Sequence, residues 1–325
     1  MTKFDINQLY YQKKTDGIAL LVGRKKIRWG VAYSYSPTDL VSQIRTPEDP
    51  EDRLGIIKGA DVLQLSLSND ISQFDIAYLP RLNWGFDDTF FENSRLAVRW
   101  YRFMEPYDVS LVGTVDEDGR WAAGFNTSAT YGKALELHAE YLYTSSKSRQ
   151  YPDASIDPSS FTIPFFETCS GGYHEILIGG QYTFKNNLNL TLEYLFTSAG
   201  YSADQFREYS AHVEYLNSQY SISPDPALAG LYESASHFLL PLRKNYLFSR
   251  LYHPDVVSSI ALEIYSYISL CDGSGFFVFQ PKYEKAKNYE VYLQLKKFWG
   301  KKDSEFGLVP EDFSAIAGVS LFLGS

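Results

Sequence analysis

Long stretches of this chain alternate apolar and polar residues with a period of two. In Leu188-Asn189-Leu190-Thr191-Leu192-Glu193-Tyr194 every even position is apolar and every odd one polar. Leu135–Tyr141 and Tyr289–Leu295 alternate in the same way. Successive side chains of a strand point to opposite faces, so this period belongs to strands with one polar and one apolar face. Such stretches occur near 6–13, 17–28, 60–68, 72–80, 94–104, 107–115, 120–130, 134–145, 173–184, 187–197, 243–252, 255–269, 275–284, 288–299 and 314–324. Their length of roughly 8–12 residues suits a tilted strand that crosses a bilayer. One stretch, 203–217, reads as a helix, because Phe206, Tyr209, Val213 and Leu216 recur at helical spacing.

Composition narrows the choice. With 45 % hydrophobic residues, 26 Tyr and 22 Phe, the 325-residue chain is too apolar to stay disordered. No run approaches the ~18 apolar residues of a spanning helix. A net charge of −9 argues against a nucleic-acid partner. Two cysteines, Cys169 and Cys271, exclude a disulfide scaffold or a Cys-rich zinc site.

The connections sort by parity. Lys14–Gly17, Asn69–Ile71, Glu105–Tyr107, Tyr131–Lys133, Lys185–Asn187, His253–Asp255 and Lys285–Asn288 are short. The intervening set is longer or variable, including 29–59, 146–172 and 198–242. Barrels of the outer membrane have short periplasmic turns and longer external loops. The expected fold is therefore all-β: an antiparallel up-and-down transmembrane β-barrel of about 14–16 strands, with one helix in the long external loop 198–242. Residues 1–325 are read as a single barrel domain. Rings at strand ends, such as Tyr141 and Tyr143, Tyr182 and Phe184, Tyr194 and Phe196, and Phe298 and Trp299, fit aromatic girdles at the two interfaces. The start, MTKFDINQLYYQKKTDG, has no apolar core of a signal peptide. An odd strand count and a first strand running inward lead to the expectation that a further strand and a signal peptide precede Met1 in the intact protein; the alternative makes 6–13 a plug or tail outside a barrel of about fourteen strands.

The polar faces supply the candidate site residues. Arg24, Lys26 and Arg28 share one face of the 17–28 stretch, with Lys25 pointing the other way. With Arg95 and Arg99 they form a basic stripe, and rings of like charge in a pore select the opposite ion. The competing reading pairs these cations with Glu136, Glu140, Glu175 and Glu193 on other strands. His138 lies between Glu136 and Glu140 on one face, as a proton or cation site or simply part of a solvated lumen. Residues 36–55 form a candidate constriction loop carrying Asp39, Arg45, Asp49, Asp52 and Arg53; a solvated external loop is the alternative. No catalytic motif, metal-ligand spacing or cofactor fingerprint is present, so neither an enzyme nor a metal or cofactor is expected.

Leu21-Val22-Gly23-Arg24-Lys25-Lys26-Ile27-Arg28-Trp29-Gly30, then Ser36-Pro37-Thr38-Asp39-Leu40, then Pro47-Glu48-Asp49-Pro50-Glu51-Asp52-Arg53-Leu54-Gly55, make up the most specific pattern. Asn245–Leu251 and Asp272–Gly275 add to it. The chain resembles porin-type outer-membrane β-barrels of Gram-negative bacteria. The resemblance implies residence in the bacterial outer membrane, contact with its lipid and lipopolysaccharide, insertion by the barrel-assembly machinery, and passive diffusion of small solutes through a polar lumen. The alternative is a barrel with a plugged lumen that serves as adhesin, scaffold or enzyme.

Overall fold

A computed structural model of the chain describes residues 6–42, 47, 58–81, 93–146, 149–161, 165–168, 171–236, 241–257, 259–283 and 289–321. In chain order the strands are β1 (Leu9–Thr15), β2 (Ile18–Lys25), β3 (Ala60–Ser68), β4 (Ser72–Leu79), β5 (Arg95–Met104), β6 (Tyr107–Asp116), β7 (Trp121–Tyr131), β8 (Leu135–Thr144), the short β9 (Gln150–Pro152) and β10 (Phe166–Thr168), β11 (Tyr173–Thr183) and β12 (Asn189–Thr197). Two helices follow, α1 (Ala203–Gln219) and α2 (Pro224–Ser236). The chain then returns to β13 (Asn245–Val257), β14 (Ile260–Ser269), β15 (Gly275–Tyr283), β16 (Tyr289–Trp299) and β17 (Phe313–Leu321). Two compact units are formed, one by 1–146 with 172–180, the other by 147–171 with 181–325.

In the first unit each strand from β1 to β8 pairs antiparallel with the next in sequence. The expected strand near 6–13 is β1, which joins β2 through Asp16-Gly17, with Gly17 at φ +71°. A side chain there would be strained. Opposed residues share a face, so the register sorts them. Val22, Leu63, Tyr78, Leu96, Val115 and Trp121 form one row across β2–β7, and each is 43–48 % exposed. On the opposite face Ser66, Asp75, Arg99 and Val112 form a row in which Asp75 is fully buried. The apolar face is thus the open one and the polar face the covered one, which is the reverse of a sheet in water. No helix among the described residues is long and apolar enough to cross a membrane.

The second unit repeats the meander from β12 to β17, each strand paired with its sequence neighbour. Its helices sit in the 198–242 connection on a ring-rich cluster of Tyr151, Phe165, Phe166, Tyr201, Phe206 and Tyr209. Ser202 caps α1 by accepting from the Gln205 N–H, while the Gln205 side chain accepts from the Ser202 N–H, a capping box.

Four expectations are corrected. Among the described residues the 198–242 connection holds two helices rather than one. Pro224 and Pro226 lie in the first turn of α2, where proline is tolerated because the N–H groups have no intrahelical partner. Gly230 then lets α2 meet Leu216 of α1 closely: a Cβ there would lie 2.8 Å from Leu216. Next, the stretch 17–28 ends as a strand at Lys25. Beyond it the Lys26 N–H finds the Gln8 side chain rather than a ladder partner. The faces of this strand are also exchanged. Arg24 stands opposite Asp61 on the face of Leu20 and Val22, while Lys25 shares the face of Leu21 and bonds Gln12. Finally, the turn expected at His253–Asp255 is instead part of β13, whose register is irregular between His253 and Val257, where Pro254 offers no N–H. Among the expected girdle rings, Phe298 packs inward on Phe276 and Phe306, and its neighbour Trp299 is exposed.

Leu111, 49 % exposed between Trp100 and Phe125, tests the open face. Leu111→Arg is expected to destabilise the chain in lipid vesicles by about 2–4 kcal/mol, measured by denaturant unfolding. Unchanged stability would mean that this face meets water.

Candidate functional site

The candidate site is built by the residues after β2. Ile27, Trp29, Leu40 and Val41 leave the strand and pack on Leu21, Val62, Ala77, Ala97, Val112, Ala122 and Leu142, all on the inner face of β2–β8. The wall residues are small enough to admit a second layer. Alanines at 77, 97 and 122 open space that larger side chains would fill.

One carboxylate seats this segment. Glu140 of β8 is 1 % exposed and accepts from five donors: the N–H groups of Val31 (2.7 Å), Ala32 (2.7 Å) and Thr38 (3.0 Å), and the hydroxyls of Ser36 (2.9 Å) and Thr38 (2.8 Å). Burying a charge costs several kcal/mol, and hydrogen bonds to a charged group return about 1.5–3 kcal/mol each. Five such donors offset the burial. Neighbouring strands lock the ends. Asn126 of β7 donates to the Trp29 carbonyl at 3.1 Å and to Thr38 Oγ1 at 2.8 Å. Asp39 accepts the Trp29 N–H at 2.8 Å, Arg99 lies 5.6 Å from the Trp29 ring, and Tyr35 donates to Glu175 at 2.9 Å. Gly30 is required here, because a Cβ would lie 1.6 Å from Ser36 Oγ and 3.0 Å from Glu140.

The structure therefore gathers Arg28, Asp39, Arg99, Glu140 and Glu175 around one segment. Arg28 holds its own loop by donating to the carbonyls of Gly30 and Ala32. Arg99 is paired with buried Asp75 at 2.8 Å, and Arg24 with Asp61 at 2.8 Å. The expected basic stripe is thus divided: Arg24 and Arg99 lie on opposite faces, and Lys26 and Arg28 lie past the strand. Arg95 stands opposite Asp116, half-buried. His138 is buried opposite Ser128, and Glu136 is half-buried on the same face. At 1 % exposure, Glu140 does not belong to a solvated wall. Glu193 lies in the second unit, buried on β12 opposite Phe248. Arg45, Asp49, Asp52 and Arg53 lie outside the described residues. Sequence reasoning missed Tyr35, Thr38 and Asn126. The cluster of hydroxyls and one acid in Ser36-Pro37-Thr38-Asp39 was the available signal, since such residues bond nearby backbone when they leave regular structure.

The second unit has a comparable seat. Glu305, in the 300–312 connection, accepts from the Leu242 N–H at 2.9 Å and from the Tyr246 hydroxyl at 2.8 Å. Asp272 accepts from the Glu305 N–H at 3.2 Å and from Arg243 at 3.3 Å. Burial raises the Glu305 carboxyl from its ordinary 4.5 to about 7, against the pull of its donors and of Arg243.

No protein-family model matches the chain, and no curated protein does. Solved structures do. The chain is similar to OccK10 (OpdN) of Pseudomonas aeruginosa, with 8 % identity, a TM-score of 0.55, and coverage of 97 % of this chain and 83 % of that one. OccD3 (OpdP) of the same organism gives 8 %, 0.52, 94 % and 74 %. Wzi, an outer-membrane protein involved in group 1 capsule assembly in Escherichia coli and a carbohydrate-binding β-barrel, gives 8 %, 0.50, 95 % and 68 %. At this identity the likeness shows the fold: an antiparallel up-and-down transmembrane β-barrel.

Replacing Glu140 by Gln puts an NH2 group among donors. Glu140→Gln is expected to cost about 3 kcal/mol, the scale of one or two lost charge-assisted bonds. Limited proteolysis should then cut within 29–41 while the strands stay intact; an uncut segment would refute the seat. For Glu305 the sign is set by a raised folded pKa. The folded state holds the proton between about 4.5 and 7 and the unfolded state does not, so stability is full below 4.5 and falls as pH rises through about 7. Hydrogen exchange in 300–312 should quicken across that window, by up to roughly 3 kcal/mol of lost protection. Glu305→Gln should flatten the profile.

Proposed function

We propose that the chain is an outer-membrane channel for small polar solutes, narrowed by the segment 27–41. The observation that carries this reading is the seating of that segment on the polar inner face by Glu140, with its donors drawn from the segment's own backbone and hydroxyls. The fold it shares with outer-membrane barrels supports it. The open apolar rows are the surface for membrane lipid and lipopolysaccharide, and the barrel-assembly machinery is the partner for insertion. A channel of this kind needs no cofactor, no catalytic residue and no nucleic-acid partner, and selectivity then rests with the charges around the segment, chiefly Arg28 and Glu175.

A second reading is a plugged barrel with a role in binding or assembly. It is favoured by one observation in the second unit: the inner-face side chains Tyr265, Gln280 and Gln294 are each no more than 3 % exposed. In that case the helical connection 198–242 carries the function.

Planar-bilayer recording on the purified, inserted chain separates the two. The channel reading expects discrete conductance steps, and a larger unitary conductance in Glu140→Gln, where the segment is released. Absence of steps in both proteins would leave the plugged reading.

A further inference from the structure

Against the inner face of β1–β4 lies a cavity of about 350 Å³, near the lower end of the size range of small-molecule sites. Its charged lining is Lys14 of β1, Lys25 at the end of β2 and Lys26 just beyond. Among the described residues no carboxylate lines it. On the inner wall beside it, Asp75 opposite Ser66 is already engaged by Arg99 at 2.8 Å, Gln73 at 2.8 Å and Gln64 at 3.1 Å. Its charge is answered within the wall, so the ammonium groups of Lys14 and Lys25 set the potential of the cavity. Lys25 Nζ is placed by Gln12 Oε1 at 3.0 Å and by the Tyr10 ring at 4.5 Å. Ser66 and Ser68 add hydroxyls that both donate and accept.

We propose that this cavity binds a tetrahedral oxyanion of the phosphate or sulfate class. Lysine acts as a point charge with rotatable donors, whereas arginine presents a planar fork matched to the two oxygens of a carboxylate. Among the described residues three lysines and no arginine line this cavity, which suits an anion that offers oxygens in several directions. The cavity is on the face opposite the rows that meet lipid, so the ligand is a free solute rather than a lipid headgroup. As the loading site of a permeating anion it rests on the channel reading; as a binding site it does not.

The test is calorimetric titration of the full chain in phosphate-free detergent, at constant ionic strength, with inorganic phosphate, sulfate and acetate. Phosphate and sulfate should bind at least about tenfold more tightly than acetate. Lys14→Gln/Lys25→Gln should weaken phosphate about tenfold or more while keeping the heat-shifted gel mobility of a folded barrel. If the double variant does not fold, the single Lys14→Gln, at an exposed side chain, should still weaken phosphate severalfold. Equal affinity for acetate, or phosphate binding indifferent to these lysines, overturns the proposal. Phosphate binding without conductance steps keeps the site and removes the channel. Conductance steps without phosphate binding do the opposite.

Discussion

A backbone facing lipid has no water to bond, so every N–H and C=O must find a partner in the chain itself. That constraint organises both units. It forces long antiparallel ladders in sequence order, and the ladders in turn force each side chain onto one of two faces. Apolar residues such as Val22, Leu63 and Tyr78 then stand in the open, and charged ones such as Asp75, Arg99 and Glu140 are turned inward.

Turning charges inward creates the next problem, because a buried charge without partners is costly. The first unit resolves it by drawing in a piece of its own chain. Glu140 supplies one acceptor group, and the segment after β2 supplies backbone N–H groups that would otherwise need water. The apolar residues of that segment cover the alanine-rich part of the wall. Segment and wall each satisfy what the other lacks. Asp75 and Arg99 settle their charges as a pair beside it.

The second unit uses the same chemistry with the roles exchanged. There the acid, Glu305, is on the connection, and the donors come from Leu242 and from Tyr246 at the start of β13. Around it Tyr246 stacks on Tyr267, and Phe306 meets Phe276 and Phe298. Dense rings keep water away, and that burial pushes this carboxyl up to about 7. Arg250 and Glu263, opposed across adjacent strands by way of Tyr265 and Tyr252, close another buried ion pair.

By itself the sequence determined the long strands, and the parity of the connections their antiparallel order, because alternation is a local property that each stretch carries without reference to its neighbours. Leu188–Tyr194 is legible from seven residues. The α1 helix was legible for the same reason, through Phe206, Tyr209, Val213 and Leu216. Which face a residue joins at a strand end was not: Arg24 meets Asp61, which opposes it only after pairing, and Lys25 reaches Gln12 across the β1–β2 pair. Helix α2 was hidden because its buried positions, Ala227, Gly230 and Ser234, are small and show no apolar stripe, and Gly230 meets Leu216 only after folding. The role of Glu140 was decided by tertiary structure alone. In sequence it is one of several acids on a polar face, and only folding brings Val31, Ala32, Ser36 and Thr38, about a hundred residues earlier, within hydrogen-bond distance. Hydrogen bonds act over ~3 Å in space whatever the separation along the chain, so a carboxylate's partners become known only when the chain has closed on itself.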